Sequence, residues 1–116
     1  MENKIVHIVS CSGASNTGKY SDEVARMLMS GGSAKMLCLA RFSVDKPFAE
    51  NAKTEISKLV VLDGCPINCA EKTMKENGIE NYIHINTTDF GIVKGKTPFV
   101  AEKAIEIVEH IKKSIE

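Results

Sequence analysis

The stretch Lys58-Leu59-Val60-Val61-Leu62-Asp63-Gly64-Cys65-Pro66 decides the fold. Leu59 to Leu62 form a continuous apolar run, too short for a helix and partly β-branched, as expected of a strand buried on both faces. Gly64 breaks the run. Pro66 suits the first turn of a helix predicted from about Ile67 to Glu76, which Asn77-Gly78 ends.

A doubly buried strand needs helices above and below it, so the same strand-loop-helix unit should recur along the chain. It does. Lys4-Ile5-Val6-His7-Ile8-Val9-Ser10 reads as a first strand interrupted only by His7. A polar loop bracketed by Gly13 and Gly18 follows, and after it Val24, Ala25, Leu28 and Met29 recur at helical spacing until Ser30-Gly31-Gly32. Lys35-Met36-Leu37-Cys38-Leu39-Ala40 is a second strand, and a helix after Pro47 runs through Phe48, Ala49, Ala52 and Ile56. Tyr82-Ile83-His84-Ile85 is a fourth strand. The last helix is expected to begin at Thr97-Pro98 and to carry Val100, Ala104, Ile107, Val108 and Ile111 along one side. No internal repeat, low-complexity tract or linker interrupts this alternation. The fold class is therefore α/β, a small doubly wound three-layer sandwich on a four-stranded parallel sheet. The expected strand order is 2-1-3-4, the start of the flavodoxin-like, Rossmann-like arrangement.

Composition narrows the functional classes. With 116 residues, 43% hydrophobic and 26% charged, residues 1–116 are expected to fold as one domain, with no room for a second. Fifteen basic and fifteen acidic side chains cancel, so no global field draws nucleic acid or a membrane surface, and neither is an expected partner. The apolar run after Lys4 is too short for a signal-peptide core or a membrane span, which points to a cytoplasmic location.

In a reducing compartment the four cysteines, Cys11, Cys38, Cys65 and Cys69, are more readily metal-binding, catalytic or buried than disulfide-bonded. Cys11 lies past the first strand, Cys38 late in the second, and Cys65 and Cys69 after the third. A parallel sheet brings these positions to one edge, at the carboxyl ends of the strands where open α/β sheets bind ligands. Neighbouring strands lie about 4.8 Å apart and zinc–sulfur bonds are about 2.3 Å, so thiols from adjacent strand ends can reach one ion. If Pro66 opens a helix, Cys65 and Cys69 share a face one turn apart, and the N–H groups of that helix start favour thiolates. Four thiolates on a divalent ion leave a local charge of about −2 and no open position for water, which favours a structural or metal-handling role over hydrolysis. Lys19 and helix-end N–H groups could offset that charge.

Other motifs compete for the same edge. Gly13-Ala14-Ser15-Asn16-Thr17-Gly18-Lys19 has the spacing of a phosphate-cradling loop, but Tyr20 stands where the magnesium-binding Ser or Thr is required. Anion binding by Gly13, Gly18 and Lys19 is the milder reading. A cysteine phosphatase needs an arginine in the loop after the nucleophile, and none occurs between Cys11 and Lys19. His7 and His110 read as structural, and so does His84, although it alone lies near a strand end. Met27, Met29, Met36 and Met74 read as core fillers. Asp63 and Asp89, at the ends of strands three and four, are candidates to support metal ligands through hydrogen bonds.

Four blocks, Cys11-Ser12-Gly13-Ala14-Ser15, Cys38-Leu39-Ala40, Asp63-Gly64-Cys65-Pro66-Ile67-Asn68-Cys69-Ala70 and Thr88-Asp89-Phe90-Gly91-Ile92-Val93-Lys94, resemble the DGC-domain family over nearly the whole chain. The family takes its name from the Asp-Gly-Cys triplet and is described as zinc-binding on account of four cysteines. The resemblance implies that Cys11, Cys38, Cys65 and Cys69 are those four, with zinc as the cofactor. The chain departs from the pattern at Arg41-Phe42, where a glycine tends to follow Cys-Leu-Ala, and at Lys19-Tyr20, near a more usual glutamine pair. The expectation is a small cytosolic zinc-binding protein acting at this edge or through a partner protein. The alternative is a thiol enzyme of redox or sulfur transfer, with Cys65 or Cys11 as nucleophile and Cys69 or Cys38 resolving the product.

Overall fold

The computed structural model describes residues 5–12, 15–64 and 66–115. Four strands, β1 (Val6–Ser10), β2 (Lys35–Leu37), β3 (Lys58–Asp63) and β4 (Ile83–Asn86), form one all-parallel sheet in the order β2-β1-β3-β4, as the sequence predicts. Register pairs Val9 with Leu37 and Val61, and Asp63 with Asn86. Among the described residues five helices cover the sheet: α1 (Asn16–Ser30), α2 (Arg41–Val44), α3 (Lys46–Glu55), α4 (Cys69–Glu76) and α5 (Ala101–Ile115).

Strand side chains alternate between two cores because successive residues point to opposite faces. Ile8, Val60 and Leu62 pack with Tyr20, Val24 and Leu28 of α1 and Ile107 and Ile111 of α5. Val9, Leu59 and Val61 pack with Phe42 of α2, Ala49 and Ala52 of α3, and Ala70 and Met74 of α4. The result is a three-layer sandwich whose carboxyl strand ends all open on one edge.

Several element boundaries differ from the sequence reading. β2 stops at Leu37, because Cys38 O and Leu39 O accept from Arg41 N and Phe42 N and turn the chain into α2, a helix the sequence reading left as a connection. α1 begins before Gly18, at Asn16, because the Ser15 hydroxyl caps it by accepting from Gly18 N at 3.1 Å. α5 begins at Ala101 and not at Thr97-Pro98, since Tyr20 holds residues 98–100 outside the helix. Its hydroxyl donates to Pro98 O at 2.7 Å and accepts from Val100 N at 2.9 Å. The Thr97 hydroxyl accepts from Val93 N, four residues back, so it does not cap α5. After β4 a short 3-10 turn, Thr87–Phe90, is capped by the Asn86 side chain and ends at Gly91, whose φ of 81° suits glycine. Among the described residues no helix is long and apolar enough to cross a membrane.

Candidate functional site

The Asp-Gly-Cys triplet acquires a physical meaning in the fold. Asp63, 1% exposed at the end of β3, accepts from Ala70 N at 2.7 Å and Glu71 N at 3.1 Å, and so caps α4 from outside its own chain segment. Gly64 lies against the first turn of α1 so closely that a Cβ there would sit 2.5 Å from Thr17 O and 2.9 Å from Gly18 N. Only a residue without a side chain lets the two loops approach this far. Cys65, the third residue of the triplet, lies outside the described residues.

The helix expected from Ile67 starts only at Cys69. Asn68 takes a left-handed conformation, φ 58° and ψ 49°, and Pro66 and Ile67 form a turn ahead of it. This corrects the sequence reading for Pro66, which is not in the first turn of α4; the expected sharing of a helix face by Cys65 and Cys69 falls on Cys65, outside the described residues. The Asn86 amide donates to Asn68 Oδ1 at 2.7 Å, and the Thr87 hydroxyl to Gly64 O at 3.3 Å, so the end of β4 braces the segment.

Cys11, half-buried, and Cys38, exposed, line one cleft of about 630 Å³ at the carboxyl edge. Cys69 is exposed at the start of α4. Its carbonyl accepts from the hydroxyl of Thr73, one turn on, and Thr73 lines the same cleft. Cys11 N continues the sheet ladder by donating to Leu62 O at 2.9 Å, and Ser21, fully buried, bonds through its hydroxyl to Cys11 O. The backbone under Cys11 is thus fixed from both sides. The donor set is chemically suited to a thiophilic divalent ion. Among the described residues no group of three or more His, Cys, Asp or Glu is arranged to hold a metal, and Cys65 lies outside them.

Beside α4 lies a polar network that the sequence does not announce. His84 Nε2 is 2.9 Å from Asp63 Oδ2 and its Nδ1 is 3.7 Å from Glu71 Oε1. The Tyr82 hydroxyl donates to Glu71 Oε2 at 3.0 Å. Burial, reinforced by the Glu71 carboxylate, pushes the Tyr82 pKa up to about 12, so this phenol remains a donor at neutral pH. His84, read from sequence as structural, is therefore the direct partner of the carboxylate that caps α4. His110 stacks edge-on against Phe90 at 5.1 Å, and His7 Nδ1 is buried with no partner among the described residues. Asp89 is exposed on the 3-10 turn, whereas Asp63 is buried under α4.

Gly13 and Ala14 lie outside the described residues, Gly18 N is committed to Ser15, and Lys19 Nζ sits 5.1 Å over the Phe99 ring. Of the methionines, Met74 is core, but Met29 is 42% exposed and lines the cleft with Met36. Ser12 donates to Asp22 Oδ1 at 2.8 Å, and Asp22 pairs with Arg26 at 2.8 Å on the rim. A small serine after a strand carries no distinctive sequence signal, so the place of Ser12 beside Asp22 on the cleft is not legible from sequence.

The model of the DGC domain matches residues 7–111. The anaerobic and virulence modulator AnvM of Pseudomonas aeruginosa strain PAO1 is 25% identical over 87 residues, which cover 75% of this chain and 66% of that protein. The chain thus spans just under two thirds of that relative's length. No solved structure matches the chain.

Proposed function

Since the chain belongs to the DGC domain family, we propose that it is a small cytosolic zinc-binding protein whose thiolates Cys11, Cys38, Cys65 and Cys69 hold one ion at the carboxyl edge of the sheet. The observation that carries this reading is the gathering of Cys11 and Cys38 on one cleft, with Cys69 a single helical turn from Thr73 on its wall. Cys38, directly after β2, and Cys69, at the start of α4, are both exposed, so in this reading binding and local ordering are coupled. A site closed by four thiolates supplies structure or carries metal and leaves no place for a reactive water. The relative's name, a modulator, agrees with a regulatory role.

The thiol-enzyme reading draws less support from the geometry. A thiolate nucleophile at a helix start draws on free N–H groups, and those of Ala70 and Glu71 are taken by Asp63.

Native mass spectrometry of protein purified without added metal separates the two. One zinc per chain, lost in each single cysteine-to-serine variant, is the expected result. No stoichiometric metal, together with one cysteine that alone reacts rapidly with an alkylating agent at neutral pH, would transfer the site to thiol chemistry.

A further inference from the structure

Asn77-Gly78 is the one Asn-Gly pair in the chain. Glycine after asparagine leaves the following peptide nitrogen unhindered, so that nitrogen can attack the carbonyl carbon of the asparagine side chain. The bond formed is Gly78 N to Asn77 Cγ, the bond broken is Cγ to Nδ2, and ammonia leaves with the proton of the Gly78 nitrogen. Water then opens the five-membered imide at either carbonyl, giving aspartate or isoaspartate. No oxidant, metal or enzyme is needed.

The end of α4 holds both reacting groups away from this path. Gly78 N donates to Lys75 O at 3.0 Å and Ile79 N to Met74 O at 2.9 Å, the paired bonds that close a helix on a glycine of positive φ, here 74°. The Asn77 side-chain amide, the group that must leave, donates to Thr73 O at 2.9 Å. Ring closure requires Gly78 N to eclipse Cβ of Asn77, whereas at ψ 9° it eclipses Asn77's own nitrogen. Ile79 fastens the arrangement, since it is 7% exposed and packs in the same core as Met74. Gly78 is exposed and Asn77 half-buried, so water reaches the pair as soon as the turn opens.

We infer that Asn77 is a self-modifying site gated by the fold, preserved while the end of α4 is closed and converted to a carboxylate when that end opens. The conversion then favours the open form. A carboxylate has no N–H to give Thr73 O, and it adds negative charge where the helix already presents its carbonyls. Isoaspartate also lengthens the backbone by one carbon between Glu76 and Gly78, which breaks the register of the bonds to Lys75 O and Met74 O. The inference does not depend on metal binding.

The test incubates the reduced, full-length chain at mildly alkaline pH with and without denaturing urea, reading intact mass and the isoaspartate content of the peptide that holds Asn77. Conversion in urea is expected first at Asn77, and it should be at least about tenfold slower without urea, because attack then waits for the turn to open. Ile79→Ala loosens the anchor without touching the reacting pair. It should raise the native rate by at least about tenfold and leave the rate in urea unchanged. Asn77→Asp should melt below the wild type and exchange the amides of Gly78 and Ile79 faster. The inference is overturned by equal rates with and without urea, by conversion at another asparagine first, by an unchanged native rate in Ile79→Ala, or by Asn77→Asp melting at or above the wild type. The comparison of rates in the wild-type chain decides the matter even where Ile79→Ala does not fold.

Discussion

His84 Nε2 lies 2.9 Å from Asp63 Oδ2, and the same carboxylate receives the N–H groups of Ala70 and Glu71. A single buried group therefore ties β4 to the start of the helix that carries Cys69. Asp63→Asn keeps the shape but replaces one acceptor by a donor facing an N–H. It should lower stability by about 1–3 kcal/mol, measured by urea unfolding. If the cysteines hold zinc, its affinity should fall by about 10- to 100-fold in a chelator competition, the usual cost of losing a group that orients ligands. A double cycle with His84→Gln should be non-additive, because the two side chains are in direct contact.

Gly64 makes the second anchor. Because a Cβ at this position would sit 2.5 Å from Thr17 O, well inside van der Waals contact with backbone that cannot rotate away, Gly64→Ala must separate β3 from α1. The expected loss is about 1–3 kcal/mol by denaturant titration. A Gly91→Asn change at the end of the 3-10 turn, where no neighbour lies within 4 Å, should cost much less despite the positive φ. Equal losses at the two positions would show that the crowding at Gly64 is relieved by local adjustment of the backbone.

The sheet was legible because each strand carries its own local signal: Val60, Val61 and Leu62 are apolar in succession, and their alternate burial against α1 and α4 follows from strand geometry alone. The start of α4 was not. Pro66 is a sound local helix signal, but Asn68 in the left-handed region and a cap supplied by Asp63 decide the boundary, and the cap comes from another element. The same holds for α5, whose first turn is set by Tyr20 across 78 residues of sequence. For the site, the convergence of Cys11 and Cys38 on one edge follows from strand order, whereas the cleft they line depends on how α1 and α2 pack.

His7 should give the protein an acid sensitivity of its own. Burial first, and the charge of Lys35 second, hold its imidazole below the ordinary value. The unfolded chain then binds a proton that the folded protein refuses, so stability is fully present above about pH 6.5 and is lost as the pH falls through the folded-state value. His7→Leu removes the titration. Between pH 7.5 and pH 5 the melting temperature of the variant should therefore fall less than that of the wild type. Parallel melting curves across that window would place the acid sensitivity on carboxylates elsewhere.

Tyr20 supplies a test of how the chain closes over the sheet. Its ring is fully buried and tilted against Phe99 at 4.9 Å, while its hydroxyl both donates to Pro98 O and accepts from Val100 N. Tyr20→Phe keeps the packing and removes both hydrogen bonds, leaving two backbone groups short of partners. The expected loss is about 1–3 kcal/mol. Asn16 clamps the preceding loop independently, through Val93 O, Thr97 O and Gly95 N, so the loop itself should stay in place. Hydrogen exchange should accordingly accelerate at Val100 while remaining slow at Gly95, and the reverse pattern is expected for Asn16→Ala. Acceleration at both sites in Tyr20→Phe would mean that residues 93–100 open as one unit, with Tyr20 and not Asn16 holding it shut.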